Sequence, residues 1–363
     1  MTEMRTRRPA GSIAAGLAIG LLSAASARAG EMDLRSRQLA AKAFRAAVER
    51  VLPSMVTIET HGGVAKPTPR PAPGPRRRRR RRIGPVAKPG EGPTTGLIVS
   101  PDGHILTSTF NFMHKPPVIT VTLHDGSPYV ARLLGRDDTR KLCLLKIDGV
   151  KGLPVPAQAP RGALKVGQWA ISAGVGYGGG EPALSAGIVS ALSRIFGKAV
   201  QTDANISPAN YGGPLLDIEG RVIGICVPLS PREQGPAGGV AWYDSGIGFA
   251  IPLDGLGPIL EQMKAGKIMQ PGKLGILPAP QTPKGGGVEV RSVQKGSGAE
   301  KAGIQAKDII VSVDGQPVAD ILALRKLLGQ HIAGDTVTVK VRRGDDELAL
   351  PVTLAAVAAQ PPR

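Results

Sequence analysis

Glycine and proline occur too often in this chain to allow many long helices. The 363 residues include 49 glycines and 33 prolines, and aromatic residues make up only 3% of the total. Proline breaks helices, and both residue types favour turns. The hydrophobic content of 42% is nevertheless enough to build two folded modules. The composition therefore predicts many short strands joined by turns, and it argues against an all-helical fold.

Residues 118–137 show this strand pattern most clearly. Apolar and polar residues alternate in VITVTLHDGSPYVARLLGRD, and Asp125 and Gly126 stand in the middle. An Asp-Gly pair between alternating runs is a strong hairpin signal, because glycine adopts positive φ without steric cost. The segment is predicted to form two antiparallel strands.

Three segments resemble the catalytic motifs of the HtrA/Deg family of trypsin-like peptidases. They read TGLIVSPDGHILTSTFNFM, RDDTRKLCLLKIDG and QTDANISPANYGGPLLDIEG. In this family the first motif carries the catalytic histidine, the second the aspartate and the third the serine. The corresponding positions here are Phe110, Lys141 and Tyr211. The resemblance implies a mainly β fold, with a trypsin-like double six-stranded β-barrel and the site in the cleft between the barrels.

The three substitutions remove the groups that acyl transfer needs. A serine attacks only when an imidazole takes its proton and a carboxylate orients that imidazole. Phenylalanine accepts no proton, a lysine at the aspartate position repels an imidazolium, and a tyrosine phenol is a poor acyl carrier. The oxyanion loop also departs from the family, since Ala209, followed by Asn210, replaces its first glycine. The sequence therefore predicts that no catalytic residue is intact.

A relocated triad is the alternative. His114, Asp138 and Ser207 lie three or four residues from the substituted positions. A shift of four residues along a strand displaces a side chain by roughly 10 Å or more, which exceeds hydrogen-bond reach. An active serine endopeptidase with such a site stays the competing hypothesis.

Residues 287–354 resemble a PDZ domain (α+β) along their whole length. The segments GSGAEKAGIQAKDII and VDGQPV carry the resemblance, which implies binding of an extended or C-terminal peptide at a sheet edge. Leu274, Gly275 and Ile276 match the family's carboxylate loop, which receives the terminal carboxylate of the peptide. A helix from about Asp320 to Gln330 is predicted to form the other wall of the peptide-binding groove. An alternative is that some of the helix leucines belong to the core. The candidate peptide-binding residues are Leu274, Gly275, Ile276, Ile321, Leu324 and Leu328.

The amino terminus has the features of an export signal. Arg5, Arg7 and Arg8 precede an apolar stretch of small residues, and Ala27-Arg28-Ala29 matches an A-x-A cleavage site. Cleavage after Ala29 predicts a periplasmic or envelope location, and retention as an N-terminal anchor is the alternative. In residues 31–51, a stripe at helical spacing predicts an amphipathic helix; it contains Leu39, Ala40, Phe44 and Val48.

Residues 62–93 form a segment rich in proline, glycine and arginine, which predicts a disordered insertion in the first barrel. Its distinguishing feature is the run Arg76, Arg77, Arg78, Arg79, Arg80, Arg81 and Arg82. Clustered guanidinium groups pair with phosphates and carboxylates, so the run is either a tether to an anionic envelope surface or polyanion, or a solvated loop. Nucleic acid is not favoured, because no base-reading element or interleaved aromatic residue lies nearby.

The predicted organisation is a signal peptide (1–29), a degenerate protease domain (30–270), a PDZ domain (271–355) and a disordered tail (356–363). Cys143 and Cys226 lie in apolar, strand-like runs, which favours buried core residues over a single disulfide. No metal site and no cofactor are predicted. The expected function is an exported pseudo-protease that binds polypeptides in protein quality control, or that regulates active HtrA relatives in a homo- or hetero-trimer.

Overall fold

The computed structural model describes residues 38–62, 93–112, 116–176, 181–229, 246–281, 283 and 285–356. The chain divides into two compact units, residues 1–46 and 47–363. Residues 38–51 are helical (α1), as the periodicity predicts. Within the predicted apolar stripe, Val48 is buried, whereas Leu39 is 67% exposed. The predicted signal peptide, the arginine run and residues 357–363 lie outside the described residues.

The first barrel contains six antiparallel strands. These are β1 (Met55–His61), β2 (Thr94–Ser100), β3 (His104–Ser108), β4 (Val118–Thr122), β5 (Pro128–Asp137) and β6 (Leu142–Ile147). They follow the order β5-β4-β1-β2-β3-β6, and an additional pairing of β5 with β6 closes the barrel. The turn between β4 and β5 is the predicted hairpin, in which the amide of Ser127 donates to Asp125 Oδ1 (2.9 Å).

The second barrel is also closed. Its strands are β7 (Trp169–Gly174), β8 (Ala183–Arg194), β9 (Ala199–Thr202), β10 (Pro214–Leu216), β11 (Val222–Cys226) and β12 (Gly248–Pro252). They are ordered β10-β11-β12-β9-β8-β7 around the barrel. Every residue of β10, β11 and β12 is buried, which suits their continuous apolar sequences. Helix α2 (Gly257–Lys264) follows, and β13 (Ile268–Met269) then pairs in parallel with β5. The predicted double six-stranded barrel is confirmed.

The C-terminal module is an α+β sheet with two helices. Its elements are β14 (Gly272–Lys273), β15 (Ile276–Pro278), β16 (Val288–Val293), α3 (Gly298–Lys301), β17 (Ile309–Val313), β18 (Gln316–Pro317), α4 (Ile321–Leu328), β19 (Thr336–Arg343), β20 (Asp346–Thr353) and β21 (Ala355–Ala356). The main sheet has the order β15-β16-β17-β19-β20, with β18 paired to β17, and β14 pairs with β21. Asp320 caps α4 by accepting from the amide of Ala323 (2.8 Å), which confirms the helix start.

Residues 269–287 have the Pro/Gly-rich composition that is typical of a linker, yet their first half is paired in strands. Strands β14 and β15 lie there, β13 ends there, and each pairs with a partner elsewhere in the fold. Short strands of two or three residues leave too weak a periodicity for the sequence to reveal them.

Both cysteines are free and fully buried, as the sequence favours. Burial raises the pKa of each thiol to about 12, so both stay protonated. In the described part of the chain, no helix has the length and apolar character needed to cross a bilayer.

Candidate functional site

An aromatic pair fills the place where the resemblance puts histidine and serine. Phe110 lies on a 3-10 helix (Thr109–Phe112) after β3, and Tyr211 lies in the loop before β10. The ring centroids are 5.2 Å apart and the planes are tilted by 57°. The two residues are 3% and 2% exposed and belong to the core cluster of the second barrel. Phe110 therefore joins the first barrel to the core of the second.

The backbone of the Tyr211 loop is bonded within itself. The amide of Tyr211 donates to the carbonyls of Ser207 (3.2 Å) and Pro208 (3.4 Å), and the amide of Asn210 donates to Ser207 (2.9 Å). An oxyanion hole requires amides that point at the substrate oxygen. In this conformation the Tyr211 amide is directed to its own loop.

Thr95 on β2 braces the same loop. Its hydroxyl donates to the carbonyl of Ala209 (2.8 Å) and accepts from the amide of Val175 (2.8 Å), and its own amide donates to the carbonyl of Tyr211 (3.3 Å). Ala209 is not among the described non-glycine residues with positive φ, so its Cβ is accommodated without strain. The loop therefore adopts a conformation that suits alanine at the position where the family has glycine.

Gly212 is retained from the family motif for a steric reason. Its φ is +83°, and a Cβ there would lie 2.1 Å from the carbonyl oxygen of Thr95. Only glycine combines this conformation with so close a backbone approach. The backbone of the loop next to Tyr211 therefore requires glycine at this position.

Lys141 closes a charged turn beside Phe110. The turn, residues 138–141, follows β5, and the carbonyl of Lys141 accepts from the amide of Thr109 (2.8 Å). Lys141 is buried with φ +60°, a conformation that costs a non-glycine residue energy. Burial lowers the pKa of its ammonium group, and Asp138 partly offsets this effect. A desolvated cation therefore lies at the position where the resemblance puts the aspartate.

Asp137 organises this turn from a fully buried position. Its Oδ1 accepts from the amide of Thr139 (2.8 Å), the hydroxyl of Thr139 (2.7 Å) and the amide of Arg140 (3.0 Å). Its Oδ2 accepts from Arg140 Nη1 (2.8 Å). The carboxylate is therefore the local counter-charge for a group of partly or fully buried cations.

Lys198, in the hairpin between β8 and β9, belongs to the same charged group. Burial and, to a smaller extent, the charge of Arg140 together lower the pKa of its ammonium group to about 8, although Asp137 opposes the shift. Its charged form therefore weakens the folded state below about pH 8. Between that pH and the ordinary value of 10.5, the unfolded chain binds more protons, so stability rises with pH.

Replacing Lys198 with methionine is expected to stabilise the protein at pH 7. The apolar side chain removes the desolvated charge, and the melting temperature should rise by about 2–4 °C. The gain should shrink towards pH 10, where Lys198 is neutral in the folded protein. Thermal melts of both proteins at pH 7 and pH 10 test this, with the exposed Lys165→Met as control. A gain that is equal at both pH values would contradict the assigned cause.

The relocated triad is not assembled among the described residues. The Ser207 hydroxyl donates to Asn210 Oδ1 (2.9 Å), and Asp138 is paired with Arg136. His114 lies outside the described residues. Neither described member contacts the other, so the two side chains are occupied in separate interactions.

The candidate peptide-binding residues divide into two groups. Leu274 and Leu324 lie in the buried core of the C-terminal module, which favours a packing role for Leu324 rather than a place in the pocket. Ile276, Ile321 and Leu328 are partly buried against the same core. Gly275 has φ +83°, and a Cβ there would lie 2.2 Å from Cβ of Ser297.

Comparison with known proteins agrees with both halves of the fold. The family model of the trypsin-like peptidase domain matches residues 94–225, and that of the PDZ domain matches residues 272–354. A probable periplasmic serine endoprotease DegP-like of Hahella chejuensis is 33% identical over 365 residues, which cover 93% of this chain and 74% of that protein. The chain belongs to the HtrA/DegP family.

Solved HtrA structures are similar over most of the chain. The HtrA-type protease AlgW with decapeptide has a TM-score of 0.63 and 25% identity, covering 88% of this chain and 99% of that one. The serine endoprotease from Yersinia pestis has a TM-score of 0.61 and 26% identity, covering 87% and 98%. A probable periplasmic serine endoprotease DegP-like of Chlamydia muridarum is 34% identical over 73% of this chain, which spans 54% of that protein's length.

Sequence reasoning missed three residues at this HtrA-like site. Thr95 and Asp137 occur inside the recognised motifs, and the D-D-T-R run is a signal for a turn in which a carboxylate accepts from backbone amides. Lys198 has no local signal, because its neighbours Asp137 and Arg140 come from another barrel. The described residues contain no cluster of histidine, cysteine, aspartate and glutamate suited to a metal ion.

Proposed function

We propose that this protein is an exported HtrA-like pseudo-protease that binds peptides through its PDZ domain. The observation that carries the first part is the buried Phe110–Tyr211 contact at the histidine and serine positions. Neither ring activates or replaces a serine hydroxyl, and the Tyr211 amide is bonded inside its own loop. The barrel pair then serves as a scaffold.

Peptide binding is supported by the C-terminal module. Strand β15 lies at the edge of its sheet, directly after the glycine loop at Gly275, and half-buried Ile321 and Leu328 offer apolar surface on α4. Strand addition at such an edge is a common mode of peptide recognition. The similar AlgW structure contains a decapeptide.

The names of the relatives support a periplasmic location. A role in quality control would follow from binding exposed polypeptide termini, and regulation of active relatives would follow from assembly with them. Trimer formation, binding of the arginine run to an anionic surface and the domain boundaries stay predictions.

The full-length protein is expected neither to cleave fluorescent casein nor to react with a fluorophosphonate probe. The probe labels a serine whose proton has been taken by a base, and Phe110 cannot act as that base. Tyr211→Ser is the informative variant, because it supplies a hydroxyl without a base and should stay unlabelled. An active HtrA protease is the positive control. Labelling of any serine in the wild-type protein would contradict the pseudo-protease hypothesis and favour an active endopeptidase with a relocated catalytic triad.

A further inference from the structure

Strand β15 has one side of its backbone paired and the other at the sheet edge. It is the first strand in the order β15-β16-β17-β19-β20, so β16 is its only neighbour among the described strands. An open edge presents N–H and C=O groups to which another strand can bind. The direction of each backbone group along β15 therefore decides what this edge offers a ligand.

Hydrogen bonds to β16 define those directions. The amide of Gln294 donates to the carbonyl of Gly275 (2.8 Å), and the amide of Ala279 donates to the carbonyl of Glu289 (2.9 Å). Between them, Leu277 is in register with Ser292. In an antiparallel ladder, alternate residues bond to the same neighbour and the intervening residues point the other way. The register shift after Leu277 places its extra residue on β16, so the alternation along β15 is kept, and Ile276 and Pro278 point to the open edge. Pro280 lies two residues beyond Pro278, just past the end of β15.

Two of these three residues lack a donor. Proline has no N–H, and proline on an edge strand blocks pairing with a further strand. Ile276 therefore provides the only amide among the three edge positions. Pro278 and Pro280 present carbonyls alone, so a ligand carbonyl opposite either proline receives no hydrogen bond.

We propose that Pro278 and Pro280 end strand pairing after Ile276, so that this groove recognises the terminal residue and carboxylate of a peptide and little beyond. This rests on the proposed binding of C-terminal peptides. A carboxylate at Gly275 fixes the peptide antiparallel to β15, with its last residue opposite Ile276. The third residue from the end then lies opposite Pro278, and the fifth lies opposite Pro280.

The consequence is a short and permissive recognition site. In such a groove only the last residue of the peptide forms complete backbone hydrogen bonds, with Ile276. The binding affinity therefore depends on the terminal side chain and carboxylate, and varied sequences upstream are tolerated. The partner is therefore an exposed C-terminus of another polypeptide, not an internal extended segment.

The proposal is tested on the full-length protein in two ways: by varying the length of the peptide, and by replacing the prolines with valine to restore a backbone N–H donor. The probes are N-terminally labelled pools with three varied C-terminal residues, made as tripeptides and as octapeptides with Thr-Val-Thr-Val-Thr upstream. Affinities are measured by fluorescence anisotropy with free-acid and amidated pools. The variants are Pro278→Val, Pro278→Val with Pro280→Val, and Ala279→Val, which alters a position that already donates to β16.

The wild-type protein should bind both free-acid lengths within about twofold, because upstream residues add little. Restoring one donor at position 278 should tighten both pools by about fivefold. Restoring the second donor should tighten the octapeptides by a further factor of about five and leave the tripeptides unchanged. Ala279→Val should have no effect.

Two results would overturn the proposal while leaving peptide binding intact. One is wild-type binding of octapeptides about tenfold more tightly than tripeptides, which corresponds to about 1.4 kcal/mol. The other is a folded Pro278→Val variant with no gain for either length. Equal binding of amidated and free-acid pools, or binding of neither, would instead refute the proposed recognition of C-termini. The wild-type length comparison decides the question even if the proline variants fail to fold.

Discussion

Replacing Tyr211 with alanine is expected to lower the free energy of unfolding by about 3–5 kcal/mol. The side chain is 2% exposed and lies in the core cluster of the second barrel, where its ring contacts Phe110. Its removal leaves a cavity that the surrounding strands fill only in part. Urea unfolding followed by circular dichroism measures the change.

Tyr129→Ala is the matched control, because this tyrosine on β5 is only half-buried and should cost less. A double-mutant cycle with Phe110→Ala then isolates the aromatic contact. We expect a coupling energy of about 0.5–1.5 kcal/mol between the two positions. Additive effects, or a Tyr211→Ala loss no larger than that of the control, would contradict the packing role.

The stability effect has a consequence for the site itself. Tyr211→Ser, which reinstates the family's nucleophile, removes the same ring from the same core and leaves Phe110 without its partner. The substitution would therefore destabilise the second barrel while the base position still lacks an imidazole. Under the proposed pseudo-protease function, proteolytic activity would require several coupled changes, since the aromatic pair is part of the core.

Much of the fold could be predicted because its signals are local. Alternation around Asp125 and the cap at Asp320 each depend on a few neighbouring residues, and the structure has both elements. The spacing of the motifs likewise gives the positions at which the resemblance puts the triad. The peptide groove was harder, since the phase of α4 decides whether Leu324 faces the core or the pocket.

The contacts that define the candidate site could not be predicted in the same way. Phe110 follows a strand of the first barrel but packs in the core of the second. This contact depends on the relative placement of the two barrels, which no local sequence pattern encodes. The backbone direction at Pro278 follows from the register of β15 with β16, which the sequence alone does not give. Sequence shows which residues are present, whereas such contacts follow from tertiary packing.

Replacing Asp137 with asparagine is expected to lower the free energy of unfolding by about 3–5 kcal/mol, because it leaves partly or fully buried cations without their counter-charge. The Asp137 carboxylate is fully buried, and its partner Arg140 has a side chain that is 17% exposed. In the wild-type protein Oδ2 of Asp137 accepts a hydrogen bond from Arg140 Nη1. In the variant the side-chain NH2 group of asparagine would take the place of Oδ2, so two donors would face each other. Urea unfolding at pH 7 measures the loss.

Asp148→Asn provides a control with the same chemistry at the surface, since Asp148 and Arg132 are both well exposed and their pair should contribute less than about 1 kcal/mol. The loss in Asp137→Asn should also shrink as pH rises. Asp137 raises the pKa of Lys141 and Lys198, which burial lowers, so without it both lysines lose their protons at lower pH. Once neutral, they no longer need the carboxylate, whereas Arg140 stays charged. A loss equal to that of the control, or one independent of pH, would show that Asp137 acts only as a hydrogen-bond acceptor for its turn.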